Sequence, residues 1–339
     1  MTADRNDDTA SLAGSRPSCW VVTDGRSGIE VQALGLAEAL GTQPVVKRMT
    51  AQKPWVWLPP RFWIDPLTCV SVREGGPLTP PWPDIAISTG RRAAAISAGL
   101  RAAARAAGGR TFAIHIQRPY QPLSRFDLVV VPRHDRLEGP NVLTTFGALG
   151  RVTPERLAAA RAELLPELTE LPRPWIAVAV GGSNKVFKLE APQAELLAHR
   201  LREAQSETGG SLLVTVSRRT GQAATETLRH ALSDLPGRFD DGKGAQNPYF
   251  GFLGSADAVV VTCDSVNMAC EAAATGRPVH VFDLPGGSAK FSRFHQDLRD
   301  AGIARPFTGQ FGKWHYTPLA ETSRIAREVR PLMNSEHRL

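Results

Sequence analysis

Short apolar runs alternate with longer amphipathic stretches along most of the chain. The run Cys19–Thr23 predicts a short strand, and residues 28–40 after it carry apolar side chains at helical spacing. The same reasoning predicts strands at 45–49, 84–88, 111–116, 127–131, 175–180, 211–216, 257–262 and 278–282. It predicts helices at 93–107, 154–164, 192–208, 221–232, 265–275 and 319–332, and an apolar helix that leads to Ala256. Strands that alternate with helices indicate an α/β protein, with parallel sheets covered by helices on both faces.

The alternation stops once, in the segment 165–174, and then starts again with a new strand. Three prolines in this segment mark a domain boundary, and 339 residues at about 150 per domain agree with two domains. We therefore predict two Rossmann-like domains that face a cleft, at residues 18–166 and 173–318. Residues 1–17 are predicted to be a disordered leader. Residues 319–339 are predicted to be a C-terminal helix and tail, with the helix crossing back to the N-terminal domain.

Composition excludes several classes of protein. Hydrophobic residues make up 42% of the chain and charged residues 22%, which excludes disorder throughout. No apolar stretch approaches the roughly 18 residues that span a bilayer, and the polar N-terminus is unlike a secretory signal. The four scattered cysteines predict free thiols in a reducing cytoplasm, not a metal site. A dinucleotide oxidoreductase is disfavoured because no GxGxxG motif follows the first strand.

Candidate phosphate-binding groups follow two strands of the second half, and ligands of parallel sheets bind beyond the carboxyl ends of strands. One strand leads into Gly181, Gly182, Ser183 and Asn184, whose glycines let backbone N–H groups approach a phosphate. An ordinary βα turn is the alternative. Another strand leads into a basic turn, where guanidinium groups could hold a diphosphate or simply be solvated. The residues of that turn are Arg218, Arg219 and Thr220.

A third candidate follows the strand at 257–262. Asp264 or Ser265 is expected to cap the next helix, whose first N–H groups suit an anion. Glu271 lies about two turns into that helix. A carboxylate near this edge of a sheet can accept hydrogen bonds from both hydroxyls of a ribose, and a solvent-exposed helix residue is the alternative.

This segment, with its strand, Ser/Asp-capped helix, glutamate and following Gly-Arg-Pro-Val, resembles the nucleotide-sugar half of GT-B glycosyltransferases. It is similar to the group that includes the N-acetylglucosaminyl transferase acting on lipid-linked muramyl peptide. The resemblance implies that Glu271 binds the ribose of a nucleotide sugar. It implies diphosphate binding by Ser183, Asn184, Asp264 and Ser265, and Met268 is counted with this site.

Four motifs in order along residues 19–335 resemble the mitochondrial-fission (elongated-mitochondria) family. They are TDGRSG at 23–28, STGRR at 88–92, VGGSN at 180–184 and TCDSVNM at 262–268. Many bacterial members of that family are regarded as glycosyltransferases, and its plant member is linked to recruiting a dynamin-related protein to the mitochondrial surface. The resemblance therefore implies either glycosyl transfer or an adaptor role on the same fold.

The GT-B resemblance also assigns the loops of the first half to the acceptor side of the cleft. Asp24 is one candidate general base for an acceptor hydroxyl, with an Asp-Gly turn cap as its alternative. His115, at the end of a later strand, is the other candidate, with a structural histidine as its alternative. The groups expected to bind an acceptor or another anion are Gly25, Arg26, Gly28, Thr89, Gly90, Arg91 and Arg92.

The segment 55–63 holds three of the seven tryptophans. Tryptophan beside arginine and lysine is typical of a bilayer interface, where aromatic rings lie at headgroup depth. A lipid-linked acceptor would require docking of this kind. A loop packed over its own domain, or a dimer contact, is the alternative.

The surplus of positive charge lies in the first half. The chain carries 40 Lys and Arg against 33 Asp and Glu, a net charge of +7. The segment 91–136 alone holds nine arginines against Asp127 and Asp135, which accounts for the whole surplus. An anionic acceptor or a membrane surface is therefore favoured over nucleic acid, for which the chain lacks a recognised binding signature.

These observations predict a GT-B glycosyltransferase that moves a sugar from a nucleotide-diphosphate sugar to a lipid-linked or cell-envelope acceptor. No cofactor or metal is required, because Arg218 or Arg219 and helix N-termini stabilise the departing diphosphate. The expected location is the cytoplasm, peripherally at the inner membrane. The alternative is a non-catalytic adaptor or membrane-recruitment protein that retains the GT-B fold.

Overall fold

A computed structural model describes residues 16–244 and 247–335. Most of the predicted leader, residues 1–15, lies outside the described residues. The first sheet has the strand order β3-β2-β1-β4-β5-β6-β7, and every pair is parallel except β2 with β3. Its strands are β1 (Cys19–Thr23), β2 (Val45–Ala51), β3 (Val70–Glu74), β4 (Ile85–Thr89), β5 (Phe112–Ile116), β6 (Leu128–Pro132) and β7 (Val142–Thr145).

The second sheet has the order β10-β9-β8-β11-β12-β13 and is parallel throughout. Its strands are β8 (Trp175–Val180), β9 (Ser211–Val216), β10 (Gly237–Asp240), β11 (Ala258–Thr262), β12 (Val279–Phe282) and β13 (Ala304–Pro306). In both sheets the first strand lies in the middle and the chain winds outward in both directions, which is the Rossmann arrangement.

Helices cover the sheets as the alternation predicts. They are α1 (Ser27–Ala39), α2 (Arg91–Ala106), α3 (Pro154–Leu168), α4 (Ala191–Thr208), α5 (Gln222–Ala231), α6 (Tyr249–Ser255), α7 (Val266–Ala273), α8 (Ala289–Asp300) and α9 (Glu321–Ser335). The start of α3 is capped by Thr153, whose side chain accepts a hydrogen bond from the Arg156 N–H, and Pro154 occupies the first turn.

The central strands are buried on both faces. In β1, neighbouring Val21 and Val22 pack into different apolar clusters, one on each side of the first sheet, because successive strand side chains point to opposite faces. The strands β8 and β9 are buried along their whole length. This double burial explains why the strands are almost continuous apolar runs in the sequence.

Two helices cross between the domains. The helix α9 returns to the first domain, where Ile325, Ala326 and Val329 pack in its core, so the predicted crossing is confirmed. The helix α3 follows the first sheet in sequence, yet Leu164 and Leu168 pack in the core of the second domain. The predicted break at 165–174 begins inside α3, which continues through a proline to Leu168.

Five elements escape the sequence pattern: β3, β7, β10, β13 and α8. The strands β3, β7, β10 and β13 are the edge strands of the two sheets, where partial exposure replaces an apolar run with mixed residues. Among the described residues, no helix combines the length and apolarity that crossing a membrane requires.

Candidate functional site

Each sheet has a switch point where the winding direction reverses, between β1 and β4 in the first sheet and between β8 and β11 in the second. Ligands of open α/β sheets bind in the crevice beyond the carboxyl ends of the strands at such points. The loops at these two edges carry most of the predicted site residues, and their contacts show what each side chain does.

The carboxylate of Asp264 ties together three loops of the second domain. One oxygen, Oδ2, accepts a hydrogen bond from the Gly182 N–H at 3.0 Å and pairs with Arg219 at 2.9 Å. The other oxygen accepts from the Thr262 hydroxyl at 2.6 Å. The Asp264 side chain is fully buried and saturated by these partners. Since a carboxylate repels a phosphate, Asp264 is suited to positioning Arg219 and not to binding the diphosphate as expected.

The backbone N–H groups of the glycine loop are already used inside the protein. Gly181 donates to the Thr262 hydroxyl at 2.7 Å, and Gly182 donates to Asp264. Ser183 donates to the Arg219 carbonyl at 3.2 Å, and Asn184 donates to a neighbouring carbonyl at 3.0 Å. This loop is therefore not the open phosphate nest that the sequence predicts.

The side chains of this loop also hold the loop itself. The Ser183 hydroxyl accepts from the Leu189 N–H at 2.9 Å, and the Asn184 side-chain oxygen accepts from two N–H groups a few residues on. Gly182 is required by close approach, because a Cβ there would lie 2.0 Å from the Arg219 carbonyl oxygen. The Gly-Gly-Ser-Asn motif thus builds the scaffold that supports Arg219.

In the basic turn after β9, the three predicted residues divide into two roles. Thr220 is buried, and its hydroxyl accepts from the Ser217 N–H at 3.0 Å and donates to the Gly181 carbonyl. Arg218 and Arg219 are exposed at the edge of the sheet. The guanidinium of Arg219, held from behind by Asp264, is the better-defined cationic group for an anionic ligand.

The amino end of α7 lies at the same edge. Ser265 caps it as expected, accepting from the Met268 N–H at 3.3 Å. The N–H groups of Val266 and Asn267 lie in the first turn, so they have no acceptor within the helix and point out of its end. Together with Arg219 they offer positive potential to a diphosphate.

Glu271 is a buried residue, not the solvent-exposed helix residue of the alternative reading. Its Oε2 accepts a hydrogen bond from the Tyr249 hydroxyl at 2.8 Å. Burial raises the pKa of Glu271 to about 7, although the hydrogen bond from Tyr249 opposes that effect. The side chain lines a cavity of about 90 Å³ between α7 and the segments 148–154 and 318–323 that cross between the domains.

Across the interface, Asp24 follows β1. Its Oδ2 pairs with the exposed guanidinium of Arg26 at 3.2 Å. Its Oδ1 is buried and has no hydrogen-bond partner among the described residues. Gly25 and Gly90 have φ values of +81° and +90°, so the two turns that frame Asp24 favour glycine. A buried carboxylate oxygen without a donor at a switch point can accept a proton or a hydroxyl hydrogen bond from a ligand.

The predicted anion cradle at the start of α2 is only partly open. Thr89 is fully buried, so its side chain does not face the cleft. Arg91 is exposed and stacks over the Tyr120 ring, 4.1 Å from its centroid. Arg92 donates to the Val56 carbonyl at 3.4 Å, which links the cradle to the tryptophan-rich segment.

His115 does not reach the cleft. Its ring is completely buried beside Phe126, and its Nδ1 lies 2.8 Å from the Ser88 hydroxyl. Burial lowers the pKa of His115 to about 3, so the ring is neutral at physiological pH. The structural alternative describes it better than the role of a base.

Two residues that the sequence did not single out join the halves of the site. The side-chain amide of Asn267 donates to the Gly28 carbonyl, and Gln32 donates to the Asn267 side-chain oxygen at 3.1 Å. These bonds bring the amino end of α1 against the amino end of α7. The sequence signal for Asn267 was its place in the TCDSVNM motif at 262–268.

Two Rossmann-like domains, switch points that meet across the interface and a returning C-terminal helix define the GT-B fold, which is a glycosyltransferase-like fold. A solved structure of UDP-GlcNAc 2-epimerase from Methanocaldococcus jannaschii in complex with UDP-GlcNAc and UDP is similar, with a TM-score of 0.53 and 11% identity. The alignment covers 94% of this chain and 99% of that one.

The chain belongs to the family described as Mitochondrial fission ELM1, which matches residues 27–333. The Arabidopsis thaliana protein named Mitochondrial fission protein ELM1 is 31% identical over 245 residues, which are 65% of this chain and 57% of the plant protein. The chain thus matches little more than half of the length of that relative. The Rickettsia prowazekii protein RP120 is 25% identical over 92% of this chain and 97% of its own length.

Proposed function

We propose that the protein transfers a sugar from a nucleotide-diphosphate sugar to a hydroxyl group of a lipid-linked or cell-envelope acceptor. One observation carries this proposal. Arg219 is fixed by the buried Asp264, which follows the switch-point strand β11, and the neighbouring helix α7 contacts the start of α1, directly after the loop that carries Asp24. A cation for a leaving group and a carboxylate for an attacking group therefore belong to adjoining edges of the two sheets.

The donor would bind to the second domain. Its diphosphate would contact Arg219, the neighbouring Arg218 and the amino end of α7, and its ribose would lie at Glu271. The similar fold of the M. jannaschii protein, which was solved with UDP-GlcNAc and UDP, supports a nucleotide sugar as the ligand class.

The acceptor would approach from the first domain. Asp24 takes the proton of an acceptor hydroxyl as its oxygen attacks the anomeric carbon of the sugar. The bond from that carbon to the diphosphate oxygen breaks, and the electron pair leaves with the nucleoside diphosphate. Arg219 and the α7 dipole stabilise the negative charge that develops on the leaving oxygen.

An anionic acceptor agrees with the basic residues of the first domain. The exposed Arg91 and the neighbouring Arg92 lie at the start of α2, one strand away from Asp24. They are suited to the phosphates of a lipid-linked acceptor. We place the reaction in the cytoplasm, at the surface of the inner membrane.

Binding of nucleotides to an Arg219→Ala variant tests the donor site. Loss of a charge-assisted contact to phosphate should weaken binding of UDP or another nucleoside diphosphate by about tenfold to a hundredfold in calorimetry. Arg202→Ala is the matched control, because Arg202 is in the same domain, is similarly exposed (42% against 43%) and also pairs with an aspartate. Equal affinities in the two variants would contradict the donor site.

Turnover by an Asp24→Asn variant tests the chemistry. This variant should bind the nucleotide sugar with unchanged affinity but lose about a hundredfold or more in the rate of acceptor-dependent release of nucleoside diphosphate. Product formation without any acceptor would instead indicate a nucleotide-sugar epimerase. Absence of binding to every nucleotide sugar would favour the adaptor function.

A further inference from the structure

The tryptophan-rich segment forms an exposed apolar surface on the first domain. It folds into two short 3₁₀ turns, Trp55–Trp57 and Pro60–Phe62. Trp57 is 70% exposed, Phe62 56% and Ile64 91%, and Leu58 is also exposed. Soluble proteins routinely expose single large apolar side chains. Four exposed ones within residues 57–64 instead indicate an interaction surface.

This exposure belongs to an anchored segment. Trp63 is buried, and its indole N–H donates to the Trp55 carbonyl at 3.2 Å. Trp55 and Val56 pack against the core beside the first sheet. The side chains of the segment therefore form two sets: one set packs against the domain, and the other is exposed. We call the four outward residues, Trp57, Leu58, Phe62 and Ile64, the apolar platform.

Two cations flank the apolar platform. The Lys53 ammonium lies 5.9 Å from the Trp57 ring centroid, and the Arg61 guanidinium lies 4.7 Å from that of Phe62. Ile64 also lines a cavity of about 340 Å³ with Arg101, Arg105 and Arg125, and the first two of these arginines pair with Asp127. Aromatic and aliphatic side chains flanked by lysine and arginine are the composition of a surface that lies in the headgroup region of an anionic bilayer.

The charges argue against a second copy of the chain as the occupant. In a symmetric dimer the same patch occupies both sides of the interface, so the positive charge of Lys53 and Arg61 would be brought against the same positive charge of the second copy. An anionic lipid surface instead attracts each cation, at about 1 kcal/mol for each lysine or arginine near it.

The position of the platform also relates it to the candidate site. Arg92 donates to the Val56 carbonyl, so the platform is joined to the start of α2, where the phosphates of an acceptor would bind. A headgroup-level platform at this position would hold the acceptor side of the cleft against the membrane.

We propose that the apolar platform and its flanking cations dock the protein on an anionic lipid bilayer. This inference deepens the proposed function, since it rests on an acceptor that resides in the membrane and names the surface that reaches it. Trp57 and Phe62 enter the headgroup region, and Lys53 and Arg61 contact lipid phosphates.

Vesicle sedimentation tests the docking surface with the full chain. We expect binding to phosphatidylcholine vesicles that contain about 30% phosphatidylglycerol, little binding to pure phosphatidylcholine, and weaker binding when salt rises from about 0.1 to 0.5 M. A Trp57→Ser/Phe62→Ser variant should lower the partition coefficient by about tenfold or more. A Lys53→Glu/Arg61→Glu variant should do the same while keeping the aromatic side chains.

Matched controls change exposed residues of the second domain. Leu196, 46% exposed on α4, is replaced in Leu196→Ser, and the exposed Lys313 in Lys313→Glu. Both controls should bind vesicles within about twofold of the unmodified chain. Equal binding by the platform variants and these controls would overturn the proposal. So would a concentration-dependent dimer in solution that the Trp57→Ser/Phe62→Ser variant abolishes, because a second copy would then be the occupant.

A separate readout distinguishes docking from sugar transfer. The vesicles contain no acceptor, and nucleotide binding is measured by calorimetry on the same variants. The platform variants should bind nucleotide like the unmodified chain, and Arg219→Ala should bind vesicles like the unmodified chain. If the unmodified chain binds vesicles but no nucleotide, the proposed function is overturned and the docking surface still stands.

Discussion

At the scale of single residues, the polar side chains of the site divide into those that build loops and those that face a ligand. Asp264, Thr220 and Asn184 are bonded inside the protein, whereas Arg219 remains partly exposed and Asp24 keeps an oxygen without a hydrogen-bond partner among the described residues. Both kinds are polar residues after a strand. Sequence position alone does not separate them, because the difference is set by which backbone groups the fold brings within hydrogen-bond distance.

Glu271 provides a test of its own through pH. Burial raises its pKa in the folded chain to about 7, above the value of about 4.3 for an exposed glutamate. Between these values the folded state binds the extra proton, so this group lowers the free energy of unfolding as pH rises from about 5 to 7. A Glu271→Gln variant should lack this slope, which urea unfolding at several pH values would measure.

Nucleotide binding should show the opposite trend with pH. Ribose hydroxyls donate hydrogen bonds to a carboxylate, so binding favours the ionised form of Glu271. The affinity of the unmodified chain for UDP, relative to that of Glu271→Gln, should therefore rise between about pH 6 and 8. Because both proteins bind the same ligand, the titration of the nucleotide phosphates affects both affinities equally and drops out of their ratio. A constant ratio across this range would contradict ribose binding at Glu271.

At the scale of elements, two helices pack in the core of the domain to which their sequence position does not assign them. The helix α9 is last in sequence but fills the core of the first domain with Ile325, Ala326 and Val329. Its amphipathic pattern predicts that one face is buried, but it does not predict which domain that face packs against. The same holds for α3, whose Leu164 and Leu168 lie in the core of the domain that follows it.

The docking of α9 predicts a large cost for a small change. Ile325 is completely buried, so Ile325→Ala should lower the free energy of unfolding by about 2–4 kcal/mol. Leu196→Ala, at an exposed position of α4, should change it by less than about 0.5 kcal/mol. Denaturant titration of both variants measures the difference. Similar values for the two would mean that α9 is not packed on the first domain in solution.

At the scale of the whole molecule, a second contact joins the domains beside α8. Arg133 pairs with Asp297 at 2.8 Å, and Lys290 pairs with Asp135 at 2.6 Å. Asp297 thereby neutralises Arg133 of the basic segment 91–136, whereas Asp135 of that segment pairs with a lysine of the second domain. Within the segment, Asp127 neutralises Arg101 through a buried pair at 2.7 Å. The cations that stay exposed include Arg91 at the start of α2, and Lys53 and Arg61 beside the apolar platform.

A charge swap across this contact tests the domain arrangement. Asp297→Arg should place two cations together and lower the free energy of unfolding by less than about 1 kcal/mol, because both side chains are partly exposed; denaturant titration measures this change. Arg133→Glu should act similarly, with an added loss of stacking on Phe146. The double variant should recover part of the loss by restoring an opposite pair. Additive effects of the two changes would contradict a direct pair in solution.

The sequence by itself determined the fold class, the buried strands and the loops that carry the site. A doubly covered parallel strand must be a continuous apolar run, and its functional loop must follow its carboxyl end. The edge strands β10 and β13 lacked that signal because exposure relaxes the requirement for apolar residues.

Only the tertiary structure decided what the polar residues do. It buried His115 beside Phe126, enclosed Glu271 against Tyr249, and used the Gly182 N–H to hold Asp264. Burial and hydrogen-bond partners arise from segments far apart in the chain. A local pattern can therefore locate a site at a strand end, but long-range packing decides which of its side chains remain available to a ligand.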